Sequence, residues 1–276
     1  MGPQDPLPRS YLFVPGNRPE RFATALASGA DAVVLDLEDA VAADAKAAAR
    51  DAIADWAARA PAAERLRTVV RINEAGSPLF AEDLRLLASA GLAQVMLPKA
   101  ESAEALAAVR GRLPDAQVLA LVETARGLAR VDEVAGSAGV VRLVFGTLDF
   151  ALDLDLDIAD HSDGLAPAAS QLVLAARLAG LAAPVAGVTP QIEDEARLLA
   201  DLAWARRFGF GAKLCIHPRQ VAALHTALAP SAQALDWARR VLAADAAQPG
   251  AARLDGRMVD RPVVLQALRT LQRAGL

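Results

Sequence analysis

Eight short apolar runs, separated by alanine-rich stretches of helical period, constrain this chain more than any other feature. The runs at 10–14, 32–37, 68–72, 94–97, 118–122, 141–145, 183–186 and 212–215 are mostly rich in β-branched residues and read as strands. Several are apolar at successive positions, as strands buried on both faces of a parallel sheet must be. Helical stretches fall between them at 19–28, 44–60, 80–90, 102–112, 127–135, 167–179 and 192–208, and another begins after Pro218. Pro19 and Pro167 suit a first helical position, and Ser102 suits an N-cap. Gly29, Gly91, Gly180 and Gly209 stand where helices would stop. Eight β/α units predict an α/β fold of the closed (β/α)8 TIM-barrel type rather than an open doubly wound sheet. No Gly-x-Gly-x-x-Gly turn follows the first run, which argues against a dinucleotide-binding fold. The barrel is expected over residues 1–228. Residues 229–276 are expected to form a C-terminal helical extension acting as a lid, with helices at 231–245 and 262–274 and a linker at 248–256.

Composition narrows the partners. The net charge is −4 and no basic block stands out, so neither nucleic acid nor an anionic membrane surface is expected as a partner. No apolar run reaches the roughly 18 residues that a membrane-spanning helix needs. The single cysteine, Cys215, excludes an internal disulfide framework and a zinc–cysteine cluster. Residues 1–8 carry neither a charged n-region nor an apolar h-region, so a cytoplasmic location is expected.

In a (β/α)8 barrel the chemistry sits at the C-terminal ends of the strands. Here those ends are polar: Gly16-Asn17-Arg18 with Arg21, Asp36-Leu37-Glu38-Asp39, Arg71-Ile72-Asn73, Pro98-Lys99, Glu123-Thr124, Gly146-Thr147-Leu148-Asp149, and Ile216-His217-Pro218. Burying an unpaired charge costs several kcal/mol. Acidic groups on strands two, five and six, converging with Arg71, therefore call for a hard cation or for one another's neutralisation. Mg2+ takes oxygen ligands and often only one or two carboxylates, and Glu123 with Asp149 is the cleanest such pair. A carboxylate–arginine network that only closes the barrel top explains the same residues equally well. His217 fits either a base or a cap beside Pro218. Lys99 and Lys213 fit charge balance better than Schiff-base chemistry, which needs a depressed pKa. Cys215 fits packing. Asp153, Asp155 and Asp157 fit a solvated acidic loop better than a second metal site.

Seven segments in fixed order carry a resemblance. They are Arg9-Ser-Tyr-Leu-Phe-Val-Pro-Gly16; Asp36-Leu-Glu-Asp-Ala-Val41 with Lys46 and Arg50; Val70-Arg-Ile-Asn73; Leu97-Pro-Lys99; Leu121-Val-Glu-Thr-Ala125; Phe145-Gly-Thr-Leu-Asp149; and Gly209-Phe-Gly-Ala-Lys-Leu-Cys-Ile-His-Pro218. Together they resemble the citrate lyase β-subunit-like family, which includes malyl-CoA and citramalyl-CoA lyases and belongs with the HpcH/HpaI aldolases. The resemblance implies a barrel assembled as a homotrimer or hexamer. It implies Mg2+, with Mn2+ as a substitute, held by Glu123 and Asp149. It also implies a lyase that cleaves or forms a 3-hydroxyacyl-CoA thioester, such as citryl-, malyl- or citramalyl-CoA, with a 2-oxo acid and an acyl-CoA as the cleaved pair. Arg71 then grips the substrate carboxylate, while Phe13, Arg18 and Arg21 meet the CoA end. Asp36, Glu38, Asp39 and Lys99 stand behind the metal and substrate. The segment Asp255-Gly-Arg-Met-Val-Asp260-Arg-Pro262 is similar to a lid motif whose aspartate, here Asp260, acts as acid or base in a neighbouring subunit's site. Two alternatives remain: a metal-dependent aldolase for a free 2-oxo acid, and a citrate lyase β subunit whose thioester hangs on an acyl-carrier subunit.

Overall fold

The eight runs close on themselves. The computed structural model describes residues 7–159, 162–248, 250 and 252–276. Most of the segment 1–8 and part of the acidic loop after Asp153 lie outside these residues. The strands are β1 Ser10–Pro15, β2 Ala32–Asp36, β3 Thr68–Arg71, β4 Gln94–Leu97, β5 Gln117–Val122, β6 Val140–Phe145, β7 Val185–Ala186 and β8 Ala212–Cys215. They pair in sequence order, all parallel, and β8 returns to β1 to complete a barrel.

The helices are α1 Phe22–Leu26, α2 Lys46–Arg59, α3 Ala62–Leu66, α4 Phe80–Ala90, α5 Ala103–Arg112, α6 Ala125–Ala129, α7 Val131–Gly136, α8 Thr147–Asp153, α9 Ala166–Leu178, α10 Glu195–Phe208, α11 Pro218–Leu228, α12 Ala232–Ala247 and α13 Arg261–Arg273. Three local expectations change. The stretch at 127–135 is two helices, α6 and α7, broken at Arg130, and Thr124 caps the first by accepting a hydrogen bond from the Gly127 N–H at 3.0 Å. The strand at 183–186 shrinks to β7 because Pro184 has no N–H to give a ladder. The segment at 248–256 is not simply a linker: Arg253–Leu254 (β9) and Arg257–Met258 (β10) form a hairpin. Its two turn residues, Asp255 and Gly256, both have positive φ, as the favoured two-residue turn requires.

Two compact units make up the chain. The first, Met1–Leu224, is the barrel with its helices. The second, His225–Leu276, has its own small core of Ala238, Val241, Ala252, Val259 and Ala267 between α12, the hairpin and α13.

Strand parity decides what the barrel encloses. Tyr11, Val34, Val69, Met96, Leu119, Leu121, Val144, Val185 and Leu214 share the inner cluster. At two residues per repeat, Phe13, Asp36, Arg71, Glu123 and Ile216 continue the same inward rows at the C-terminal end. The opposite end is plugged by Arg142, buried and donating to Pro8 O at 2.6 Å, Ala183 O at 2.6 Å and the Tyr11 hydroxyl at 3.2 Å. Each of its bonds goes to a fixed acceptor, which makes it part of the scaffold.

Candidate active site

The inward rows end in a cavity of about 320 Å³ lined by Phe13, Asp36, Asp39, Arg71, Glu123 and Asp149, among others. Register brings its first pair together: Asp36 on β2 faces Arg71 on β3. The Arg71 fork donates Nε to Asp36 Oδ1 at 2.7 Å and Nη2 to Oδ2 at 2.5 Å. Asp36 also accepts the backbone N–H groups of Glu38 at 2.9 Å and Ala40 at 3.0 Å. Charge-assisted, bidentate pairs of this kind combine strength with fixed geometry. Nη1 of Arg71 lies 2.8 Å from Glu38 Oε2, an ion-pair contact without hydrogen-bond geometry, and the guanidinium stands 4.9 Å over the Phe13 ring. Burial works against the Arg71 cation, but the Asp36 hydrogen bonds and the charges of Asp36, Glu38 and Asp39 more than offset it and raise its pKa. Burial, reinforced by the charges of Asp39 and Asp36 and opposed by Arg71, pushes the Glu38 carboxyl up to about 7.

A second layer holds this wall from behind. Lys46 Nζ donates to the carbonyls of Leu37 at 2.8 Å and Glu38 at 2.9 Å, and to Asn73 Oδ1 at 2.8 Å. Asn73 in turn donates to the fully buried carboxylate of Asp83, which also pairs with Arg50 at 3.2 Å. Sequence reasoning missed Asp83. Its one signal is a carboxylate on the apolar, core-facing stripe of α4, where a charge is kept only if it is paired.

Across the cavity, Glu123 is 3% exposed and follows Val122, which pairs with Phe145. That register sets it against Gly146, where an added Cβ would come within 2.6 Å of both the Glu123 Cβ and its Oε2. Only glycine leaves room for the carboxylate there. Lys99, in the left-handed region at φ 44°, donates its backbone N–H to Glu123 Oε1 at 2.9 Å. Burial dominates the Glu123 carboxyl, the Lys99 N–H opposes it and the charges of Glu38 and Asp149 add to it, so its pKa is pushed up to about 8. Asp149 is exposed and stands in the first turn of α8, a helix that sequence reasoning left as a strand-end loop. These two carboxylates could hold a metal. Their donors are oxygens only. Two carboxylates suit a hard ion such as Mg2+ that completes its shell with water and substrate. Among the described residues, no group of three or more His, Cys, Asp or Glu side chains could hold a metal alone.

Other predicted residues stand apart from the cavity wall. Arg18 and Arg21 are exposed on the turn after β1; Arg18 Nε lies 2.6 Å from Glu20 Oε1, and Arg21 lies 4.0 Å from the same oxygen. The Lys99 ammonium pairs with Glu74 at 2.6 Å, and that hydrogen bond outweighs burial to raise its pKa. His217 Nδ1 accepts the Arg219 N–H at 3.2 Å, which is the capping role. Burial pushes the Cys215 thiol up to about 12, so it is inert packing. Asp153, the last residue of α8, accepts the Ala125 N–H, and Asp157, in the exposed loop that follows, accepts the Ala159 N–H. Lys213 departs from the expected charge balance: it is buried, donates to Gly187 O at 2.7 Å, and burial lowers its pKa to about 8. In the second unit, Asp260 is exposed and caps α13 by accepting the Val263 N–H at 3.2 Å.

Comparison with known proteins fits this geometry. The chain is 41% identical over 270 residues to a citrate lyase subunit beta-like protein of Mycobacterium tuberculosis, covering 96% of this chain and 95% of that one. It is 32% identical to a (3S)-malyl-CoA thioesterase of Cereibacter sphaeroides, covering 96% and 94%. Its fold matches crystalline CitE of Mycobacterium tuberculosis, in complex with magnesium, acetoacetate and coenzyme A, at a TM-score of 0.87 and 40% identity over 98% of each chain. The family model for HpcH/HpaI aldolase/citrate lyase matches residues 9–218, the part of the chain that carries every strand of the barrel. The chain belongs to the HpcH/HpaI aldolase/citrate lyase family.

Proposed function

We propose that the chain is a Mg2+-dependent carbon–carbon lyase acting on a 3-hydroxyacyl-CoA thioester, in cleavage or in condensation. One observation carries the reading: a buried carboxylate, Glu123, shares a cavity with Asp149 and with an arginine whose orientation is already fixed. The CitE complex with magnesium, acetoacetate and coenzyme A supports it. Glu123 and Asp149 hold the ion, which when bound acts as a Lewis acid toward the hydroxyl being converted to a ketone. Arg71, kept in place by Asp36, pairs with the carboxylate of the 2-oxo acid half and sets its angle to the breaking bond. Phe13 supplies an apolar surface beside it. Arg18 and Arg21 are assigned to the CoA end. Asp260, supplied by a neighbouring copy, exchanges the proton on the thioester α-carbon. General acid–base work of this kind contributes typically about 10²–10⁴-fold.

The malyl-CoA thioesterase relative favours a second reading, hydrolysis of the thioester without carbon–carbon cleavage. A panel of malyl-, citramalyl- and citryl-CoA, run with Mg2+ and with EDTA, separates the two. A lyase releases glyoxylate, pyruvate or oxaloacetate with no free thiol, whereas a thioesterase releases thiol and no 2-oxo acid. Activity that ignores EDTA would remove the metal from both readings. If the thioester must instead be offered on an acyl-carrier protein, only the carrier-bound substrate turns over. Asp260→Asn is expected to keep Mg2+ binding and lose about 10²–10⁴-fold in turnover; unchanged turnover would leave Asp260 as a helix cap alone.

A further inference from the structure

Outside the barrel wall lies a second cavity of about 150 Å³, between β6–β8, the start of α8 and helix α10. It is separate from the carboxylate-lined cavity, although Thr147, Leu148 and Val188 border both. Parity explains its contents. Ala212 and Leu214 point into the barrel, so Lys213 between them points out, into this space. Its other walls are largely apolar, including Phe145, Leu165, Trp204 and Phe210.

The polar groups there are unevenly matched. Among the described residues Asp201 is the carboxylate of the lining, and it is already engaged: Oδ1 accepts Arg197 Nε at 2.8 Å and Oδ2 accepts the Thr189 hydroxyl at 2.6 Å. The rest of the Arg197 fork donates to the carbonyls of Ile158 and Ala159. Lys213 is 2% exposed, and among the described residues its three donors meet one acceptor, Gly187 O. Arg197 and Asp201 cancel, so the described residues of the lining carry one net positive charge, and none of them neutralises it. An ammonium in such a place must either lose its proton or pair with an anion.

We propose that this cavity binds a short-chain aliphatic carboxylate, its carboxylate paired with Lys213 and its hydrocarbon chain packed against Phe145, Trp204 and Phe210. The volume suits a chain of a few carbons. The apolar walls disfavour a fully hydrated anion such as phosphate, which would have to shed its water with one cation to receive it. The lowered pKa of Lys213 agrees, since an anion would restore the charge that burial now disfavours.

Ligand-observed NMR titration of the full chain with butyrate, with n-butanol as the uncharged counterpart, tests this. Saturable butyrate binding is expected, with none for n-butanol. Lys213→Met should weaken it by about thirtyfold or more, as loss of one partner from a buried charge pair does. Ala205→Leu, which fills the cavity and leaves the charge in place, should abolish it and keeps the test open if Lys213→Met does not fold. Glu123→Gln should leave butyrate binding unchanged, which separates this site from the proposed lyase site. Butyrate binding that survives Lys213→Met or Ala205→Leu, disappears with Glu123→Gln, or is matched by n-butanol overturns the proposal, as does no saturable binding at all.

Discussion

The two walls of the main cavity use the same residue types to opposite effect. On the β2–β3 wall, Asp36 accepts four hydrogen bonds, two from the Arg71 fork and two from backbone N–H groups. Its counter-charge is built into the fold. On the β5–β6 wall, Glu123 is as deeply buried, yet among the described residues it accepts one hydrogen bond, from the Lys99 N–H. The consequence is electrostatic: the Glu123 carboxyl is pushed up to about 8, with the charges of Glu38 and Asp149 adding to the burial. A carboxylate that only had to close the barrel would be paired as Asp36 is. One wall is therefore finished as an orienting surface, and the other is suited to a cation from solution. This asymmetry favours the metal reading over the closing network, which the sequence could not separate.

The largest effect is expected on the unpaired wall. Glu123→Gln should lower Mg2+-dependent turnover by roughly a thousandfold or more, since a Lewis-acid ion is worth several kcal/mol to such a step. Asp149→Ala should act in the same direction. Either variant turning over normally in the presence of chelator would break the comparison at its root. Mutation of the paired wall should read out differently. Asp36→Asn removes the bidentate partner of a buried ion pair and leaves the Arg71 cation to Glu38 and Asp39; breaking such a pair typically costs about 3–5 kcal/mol of stability. A fall in the denaturant midpoint, together with a higher KM, would bear this out. An unchanged midpoint would mean that Glu38 and Asp39 can hold Arg71 by themselves.

Much of the barrel was legible because its strands are buried on both faces and so stay apolar along their length. Parity then carried Asp36, Arg71 and Glu123 onto the rim, since each continues an inward row of its own strand. What stayed hidden is local. Helix α8 has seven residues and a glycine N-cap without a side-chain hydrogen bond, so nothing in Gly146-Thr147-Leu148-Asp149 signals that Asp149 rides on a helix. The hairpin at Asp255-Gly256 stayed hidden too: Asp-Gly is a turn signal, but the surrounding small residues made the segment read as a linker. The partners of charges were the least visible. Lys99, just past the end of β4, finds Glu74, whereas Lys213, inside β8, finds Gly187 O alone among the described residues. Pairing depends on which loop folds over which strand end, and spacing along one chain does not encode that.

The mildest test of the two walls uses pH. In the metal-free protein the Glu123 carboxyl is raised from its ordinary value of 4.5 to about 8. A carboxyl raised on folding stabilises the fold fully below its unfolded value and loses that contribution as pH rises through the folded one. The metal-free protein should therefore lose stability between pH 4.5 and about 8. Mg2+ binds the carboxylate form, so below about pH 8 each ion bound releases a proton from Glu123. Its affinity should rise about tenfold per pH unit up to that point and then level off, a slope of one proton per ion. Calorimetric titration with Mg2+ from pH 6 to 9 reads this slope, and Glu123→Gln should flatten it. A wild-type affinity independent of pH would mean that Glu123 is already ionised without the metal. The β5–β6 wall would then have found a counter-charge of its own, and the contrast with Asp36 would fail.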